Sequence, residues 1–219
     1  MKIIIVGAGI AGVSTYLLLK KHLLDDPSSN LKDHISITIY ESHHPRIDNA
    51  HDEKKGNTSF EELSSSTALV GGGLGIAPNG MRILRNLDEK LHDEILKRGF
   101  LIEHAVMKSA RGWRLGKIRW GDMREPEEFC VSIARHRLWE CLRDAVGEGV
   151  IQYKRVAAVK NGKGGKSVVT FADGSADEEA ELVIGADGVK STVRKAIFGD
   201  KYPPSYEYVQ MRCLRNFSC

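Results

Sequence analysis

Apolar runs and amphipathic stretches alternate along this chain in an order typical of an α/β fold. Residues 2–6 are almost entirely apolar, a pattern that indicates a strand buried on both faces. Residues 13–24 have helical periodicity and carry cations near their end, and residues 35–40 form a second apolar run. The first forty residues therefore predict a strand, a helix and a second strand.

The same patterns predict further elements downstream. We expect helices over residues 80–87, 88–98, 135–146 and 189–198, with Asn79 capping the first of them. We expect a hairpin over 101–120 that turns at 110–112, strands over 129–133, 153–159 and 167–171, and a buried strand over 182–184. Residues 71–79 are expected to form a glycine-rich loop, and the polar stretch 42–70 a long mobile loop.

A glycine motif joins the first strand to the first helix. Gly7, Gly9 and Gly12 spell G-x-G-x-x-G, with Ala11 inside the motif. In a dinucleotide site the first glycine allows the turn, the second lets a pyrophosphate approach and the third lets the helix pack. Glu41 ends the second strand and is suited to a ribose, although it lies 29 residues after Gly12 rather than the usual ~20. A polar insert over residues 25–33 explains the excess, because surface loops lengthen at little cost.

A second strand feeds a helix through glycines at residues 181–194. Asp187 and Gly188 stand at the turn, where a phosphate or ribose can meet backbone N–H groups. Asp187 is suited to accept hydrogen bonds from hydroxyl groups. Taken by itself, this stretch also fits a purely structural Asp-Gly turn.

Charge and composition exclude some classes of function. The chain has 219 residues, enough for one large domain or two small ones, and a net charge of +3 with 28% charged residues. Its basic residues do not cluster with aromatic ones, so we expect no nucleic-acid partner. No stretch approaches the ~18 apolar residues of a membrane span, so we expect a soluble chain.

Cysteine and histidine usage points to a reduced setting without a metal. The four cysteines contain no C-x-x-C pair, which favours a cytoplasmic location. His43, His44 and His51 lie in a polar stretch and lack an obvious set of further ligands. We therefore predict no metal site.

Four segments together resemble one family, the FAD-dependent aromatic-ring hydroxylases. These are the class A flavoprotein monooxygenases related to salicylate and p-hydroxybenzoate hydroxylases. The matching segments are the 7–12 turn with Glu41, the 73–79 loop, the R-x-x-L start at Arg135, and the Asp-Gly segment over 182–194. The resemblance extends to about residue 200 and then fails, although family members continue for roughly as long again.

The resemblance implies a Rossmann-like FAD-binding domain of the glutathione-reductase type over residues 1–200, with an incomplete substrate-domain sheet. Residues 81–126 would contribute to the substrate layer, and 201–219 would be the truncated start of the substrate domain. Arg46 would reach the adenosine half of FAD, and Arg135 would lie near its phosphates and ribityl chain. The full set of expected cofactor-binding residues is Gly7, Gly9, Ala11, Gly12, Glu41, Arg46, Arg135, Asp187 and Gly188.

The implied activity is that of an FAD-dependent monooxygenase, present here as an N-terminal fragment. NAD(P)H reduces the FAD, a C4a-hydroperoxide forms with O₂, and one oxygen atom passes to an aromatic or other electron-rich small molecule. The sequence identifies no catalytic residue, and it does not decide between NADH and NADPH or indicate an oligomeric state.

Two other interpretations stay open. The chain is alternatively a non-catalytic remnant that binds FAD or an adenine nucleotide, because the family's second half is missing. It is alternatively an NAD(P)-dependent dehydrogenase using the same glycine turn. The segment at Asp187 and Gly188 argues against a dehydrogenase, as does the lack of a Y-x-x-x-K pair in residues 131–193.

Overall fold

The structure, a computed structural model, describes residues 1–25, 34–43, 72–124 and 126–201. Arg46, most of the polar stretch expected to form a mobile loop, and residues 202–219 lie outside the described residues. The predictions made for those parts therefore stay predictions.

The fold is a mixed α/β arrangement of five helices and thirteen strands in the described ranges. The helices are α1 (Ile10–Leu19), α2 (Pro78–Leu87), α3 (Glu89–Arg98), α4 (Arg135–Val146) and α5 (Thr192–Phe198). The strands are β1 (Lys2–Val6), β2 (Ser36–Tyr40), β3 (Gly73–Ile76), β4 (Phe100–Ile102), β5 (His104–Lys108), β6 (Arg114–Arg119), β7 (Gly121–Asp122), β8 (Glu128–Ala134), β9 (Ile151–Gln152), β10 (Val156–Asn161), β11 (Ser167–Phe171), β12 (Glu178–Ala180) and β13 (Leu182–Gly185). Helix α1 continues into a wider π-helical turn over Lys20–Leu24, and short 3-10 turns cover Lys163–Gly165 and Gly199–Lys201.

A parallel sheet of four strands in the order β13-β1-β2-β9 forms the centre. Ile5 of β1 packs into a cluster with α1, α2, α3 and α4, whereas Ile4 and Val6 pack against β10, β11, β12 and α5. Strand β1 is therefore covered on both faces, as its apolar run predicted. In register, Val6 lies beside Tyr40 on β2 and Gly185 on β13, so the three strands end together.

The remaining strands form antiparallel sheets. Strands β10, β11 and β12 make the sheet that covers the second face of the centre, while β8 pairs with β3, β4 and β7. Strands β5 and β6 pair with each other and, among the described strands, with no other. No helix in the described ranges has the length and apolar character needed to cross a membrane.

Several predicted boundaries are wrong for identifiable reasons. Helix α2 begins at Pro78, a residue favoured at the first helical position, so Asn79 lies inside the helix and is not its cap. Helix α5 begins at Thr192, three residues later than expected, because the Ser191 side chain caps it by accepting from the Arg194 N–H. Strand β13 lies at a sheet edge and Leu182 is 43% exposed, so this strand is not fully buried.

Pairing across the chain explains two further differences. Residues 73–76, expected to be part of a glycine-rich loop, form strand β3 because β8 supplies hydrogen-bonding partners. The expected hairpin is confined to β5 and β6, since β4 pairs with β8 instead. Helix α4 spans the residues that its periodicity predicted.

Candidate functional site

A cavity of about 460 Å³ opens where β1, β2 and β13 end. The edge formed by the carboxyl ends of parallel strands is where open α/β sheets bind ligands. The cavity is lined by Val6, Gly7, Gly9, Tyr40, Glu41, Ser42, His43, Arg135, Arg155, Val156, Ala186, Asp187, Gly188, Lys190 and Thr192. Six residues predicted from the sequence are thus brought together: Gly7, Gly9, Glu41, Arg135, Asp187 and Gly188.

Gly7 and Gly12 are required by the close approach of three backbone segments. Gly7 has φ +102°, and a Cβ there would lie 2.4 Å from the Ala186 carbonyl oxygen. A Cβ on Gly12 would lie 1.9 Å from the Gly7 carbonyl oxygen. Gly12 is buried and does not line the cavity, so its contribution is to seat α1 against the turn.

Gly9 differs from Gly7 and Gly12 because the described residues leave space for a side chain there. It precedes α1 with extended backbone, and a Cβ built on it meets no atom of the described residues within 4 Å. Gly9 nevertheless lines the cavity, so a side chain at this position would take up ligand space. Ala11, also predicted, is exposed and is not among the lining residues.

Glu41 is bonded to the glycine turn itself. Its Oε2 accepts from the Ala8 N–H at 2.7 Å, and its Oε1 accepts from the Ser42 hydroxyl and the His43 N–H, each at 3.1 Å. A carboxylate has about four lone-pair sites, so acceptor capacity is left for a ligand hydroxyl. Glu41 therefore both fixes the turn and borders the cavity.

The Asp187 carboxylate accepts hydrogen bonds from residues at the start of α5. Its Oδ1 accepts from the Ser191 hydroxyl at 2.5 Å, and its Oδ2 accepts from the N–H groups of Thr192 and Val193 at 2.5 and 3.3 Å. These bonds satisfy free donors at the start of α5. They support the interpretation of this segment as a structural turn, and its binding of hydroxyl groups stays a prediction. The next residue, Gly188, has φ +76°, a conformation that suits glycine.

Three cations border the cavity: Arg135 at the start of α4, Arg155 before β10, and Lys190 before α5. Within the described part of the chain, their side chains make no hydrogen bond or ion pair. Arg155 and Lys190 are absent from the residues predicted above. Lys190 had a signal, since it stands inside the Asp-Gly segment. Arg155 had none, because nothing in its sequence neighbourhood indicates that it borders this cavity.

A polar link ties the central sheet to its antiparallel cover beside this cavity. The Tyr40 hydroxyl donates to Glu178 at 2.6 Å, and the Lys2 ammonium donates to the same carboxylate at 2.6 Å. Burial, together with the hydrogen bond and charge of Glu178, raises the pKa of Tyr40. Tyr40 also meets Phe171 edge to face at 4.8 Å between ring centroids.

The two cysteines in the described ranges, Cys130 and Cys141, are buried. Burial raises the pKa of the Cys130 and Cys141 thiols, which disfavours the reactive thiolate form. Among the residues that the structure describes, no group of three His, Cys, Asp or Glu side chains is placed to hold a metal ion.

Solved structures share this fold. HpxO of Klebsiella pneumoniae, solved with FAD and uric acid, aligns with a TM-score of 0.60 at 20% identity over 91% of this chain and 42% of its own. CtdE, solved with FAD and a substrate, aligns with a TM-score of 0.62 at 18% identity over 91% of this chain and 40% of its own. Both neighbours therefore share the mixed α/β fold of this chain over 91% of its residues.

Curated proteins named as monooxygenases are similar to this chain in sequence. The 6-hydroxynicotinate 3-monooxygenase of Bordetella bronchiseptica is 31% identical over 72% of this chain and 41% of its own length. The enzyme of the same name from Pseudomonas fluorescens is 29% identical over 72% of this chain and 41% of its length. The FAD-dependent monooxygenase eupB of Phoma sp. is 27% identical over 93% of this chain and 41% of its length.

These relatives confirm the resemblance to FAD-dependent aromatic-ring hydroxylases: the chain is homologous to FAD-dependent monooxygenases that act on aromatic compounds. No family model matches the sequence. The chain spans about two fifths of the length of the curated relatives that it matches, 41% for each of the three above.

Proposed function

We propose that this chain binds FAD through its adenosine and pyrophosphate half and is the FAD-binding part of an FAD-dependent monooxygenase. The supporting observation is the cavity at the strand ends, which collects six predicted residues. It also collects three cations, Arg135 of that set and two more, whose side chains have no partner in the described chain. We further propose that residues 1–200 form a Rossmann-like domain of the glutathione-reductase type, with an incomplete substrate-domain sheet.

The donors around the cavity suit a pyrophosphate. The start of α1 leaves backbone N–H groups without helical partners, and the helix dipole favours negative charge there. Gly9 leaves open space next to those donors. Arg135, Arg155 and Lys190 supply positive charge from three other segments that line the same cavity.

The remaining predicted residues would hold the adenosine half and the turns around it. Glu41 has acceptor capacity for ribose hydroxyl groups while it keeps the Ala8 N–H fixed. Asp187 and Gly188 would shape the turn beside the phosphates, and Gly12 would act through packing. Ala11 and Arg46 stay in the proposed set, Ala11 through its backbone N–H and Arg46 through the adenosine half.

FAD bound at this site would pass electrons from NAD(P)H to O₂ and place one oxygen atom on an aromatic small molecule. The chain's own task is to bind and orient the nucleotide. Residues 81–126 would contribute to the layer that meets the substrate. Among the solved neighbours, HpxO was captured with uric acid and CtdE with a substrate.

The first experiment measures FAD retention. The purified chain is mixed with FAD and desalted, and its visible spectrum is recorded; retained flavin bands are expected. Gly9→Val should abolish retention, because the side chain fills ligand space, while the unfolding midpoint should stay near that of the parent. Gly116→Val on β6 is the matched control, since an added Cβ there meets only the flexible end of Met107, at 3.4 Å. A parent that retains no flavin would refute the proposal.

A second candidate is a chain that binds FAD or another adenine nucleotide without turnover. It draws on the same cavity, because the residues that line it include the predicted nucleotide-binding residues. The two candidates separate on NAD(P)H oxidation in the presence of phenolic or hydroxypyridine compounds. Oxidation that rises with such a compound supports the monooxygenase, and FAD retention without any oxidation supports the binding protein.

A further inference from the structure

Trp139 reaches from the middle of α4 to the glycine turn. Its side chain is buried, 7% exposed, and its indole Nε1–H donates to the Ala8 carbonyl oxygen at 2.7 Å. The guanidinium of Arg143 lies over the indole ring, 5.1 Å from its centroid. Helix α4 begins with Arg135, so the same helix carries a cavity cation and holds the turn.

The hydrogen bonds of Ala8 fix two successive peptide groups. Glu41 accepts from the Ala8 N–H, which belongs to the peptide group between Gly7 and Ala8. Trp139 donates to the Ala8 carbonyl, which belongs to the peptide group between Ala8 and Gly9. A trans peptide group is planar, with its N–H opposite its carbonyl. Fixing the Ala8 carbonyl on Trp139 therefore turns the Gly9 N–H away from α4.

The Gly9 N–H is left without a partner in the described ranges, and Gly9 lines the cavity. Glycine turns have wide conformational freedom, so this peptide group would otherwise sample several orientations at an entropic cost to binding. Trp139 itself does not line the cavity, so it acts through the turn.

We propose that Trp139 is a positioning residue that preorganises the Gly9 N–H for a phosphate of the bound dinucleotide. The inference rests on the proposed function, because it assigns a purpose to the turn of that same site. The role of the Trp139 Nε1–H is separate from the packing of the ring. The ring fills space in the core, whereas the Nε1–H sets the orientation of one peptide group.

The test removes the N–H and keeps the shape of the ring. In a Trp113→Phe/Trp120→Phe background, Trp139 is the sole tryptophan, since the chain has three. Replacing it there with benzothienylalanine exchanges the indole N–H for sulfur. FAD affinity is measured by flavin fluorescence, and backbone exchange over residues 7–12 by hydrogen–deuterium mass spectrometry without FAD. Trp139→Phe in the natural sequence is the second variant.

We expect the isosteric variant to raise the Kd for FAD about tenfold, the effect of losing one buried hydrogen bond. Exchange over residues 7–12 should accelerate, while the strands β10 and β11 keep their protection. A Kd within twofold of the background protein, or unchanged exchange in the turn, would overturn the inference. Failure of the background protein to bind FAD would refute the proposed function instead, and exchange over residues 7–12 then decides the positioning claim by itself.

Discussion

The central parallel sheet and the β5–β6 hairpin differ in how far their apolar side chains are exposed to solvent. Around β1, apolar side chains are buried on both faces of the sheet, and Ile5 is 0% exposed. On the hairpin, large apolar side chains face solvent in the described chain, and Trp113 is 74% exposed. The exposed set on β5, β6 and their flanks is Val106, Met107, Trp113, Leu115, Ile118 and Trp120.

The difference shows which part of the described chain is self-sufficient. The central sheet has helices on one face and the β10–β12 sheet with α5 on the other, so the apolar side chains of β1 are already removed from water. The hairpin is a sheet of two strands, and such a hairpin is marginally stable in isolation. The candidate FAD site belongs to the region whose packing is complete, which favours a preformed cavity.

The largest expected effect comes from one truncation made in both regions. Ile5→Ala should lower the free energy of unfolding by about 3 kcal/mol, because it removes buried atoms and leaves a cavity. Ile118→Ala should change it by less than about 0.5 kcal/mol, since this side chain is 53% exposed. Urea unfolding followed by circular dichroism measures both variants. Equal losses at the two positions would mean that the hairpin is packed as firmly as the sheet.

A smaller effect, dependent on pH, is expected at the hydrogen bond between Tyr40 of the central sheet and Glu178 of the β10–β12 sheet. The pKa of Tyr40 is raised in the folded chain, by burial first and then by its hydrogen bond to Glu178. A raised folded pKa gives stability that is complete below the unfolded value of about 10 and is lost as pH rises above it. The free energy of unfolding should therefore fall with rising pH above about 10, and less steeply in Tyr40→Phe than in the parent.

Tyr40→Phe should also cost about 1 kcal/mol at pH 8, the net contribution of one hydrogen bond. Urea unfolding at pH 8 and at pH 10.5 measures both quantities. Some slope is expected to persist in the variant, because burial also raises the pKa of Tyr16 and Tyr153. If the free energy of unfolding fell with pH equally steeply in parent and variant, the titration of Tyr40 would not contribute to the pH dependence of stability.

The two regions also differ in how far their sequence predicts them. Strand β1 and helix α4 were predicted within a residue, because the periodicity of their own side chains records which faces are buried. Strand β3 was missed, since its glycine-rich sequence has no strand pattern and its structure comes from pairing with β8. The hairpin was predicted too long because pairing of β4 with β8 depends on distant residues.

The candidate site shows the same limit. The meeting of the glycine turn and Glu41 was predictable because each follows one of the first two strands, and neighbouring parallel strands end at the same edge of a sheet. Arg155 was not, since it reaches the cavity through the position of β10 in another sheet. The capping bonds of Asp187 depend on a side-chain orientation that no sequence pattern states.

The smallest effect on stability, and the sharpest contrast, is expected on the hairpin itself. Trp113→Ser/Leu115→Ser should change the free energy of unfolding by less than about 0.5 kcal/mol, because both side chains are largely exposed. The same variant should reduce concentration-dependent self-association in sedimentation velocity, since contiguous exposed apolar surface promotes contacts between molecules. The control is Arg111→Ser/Lys117→Ser, which changes two exposed polar residues of the same hairpin and should leave association unchanged. If the apolar variant lost 2 kcal/mol or more, the hairpin would be part of the packed body and the contrast with the central sheet would fail.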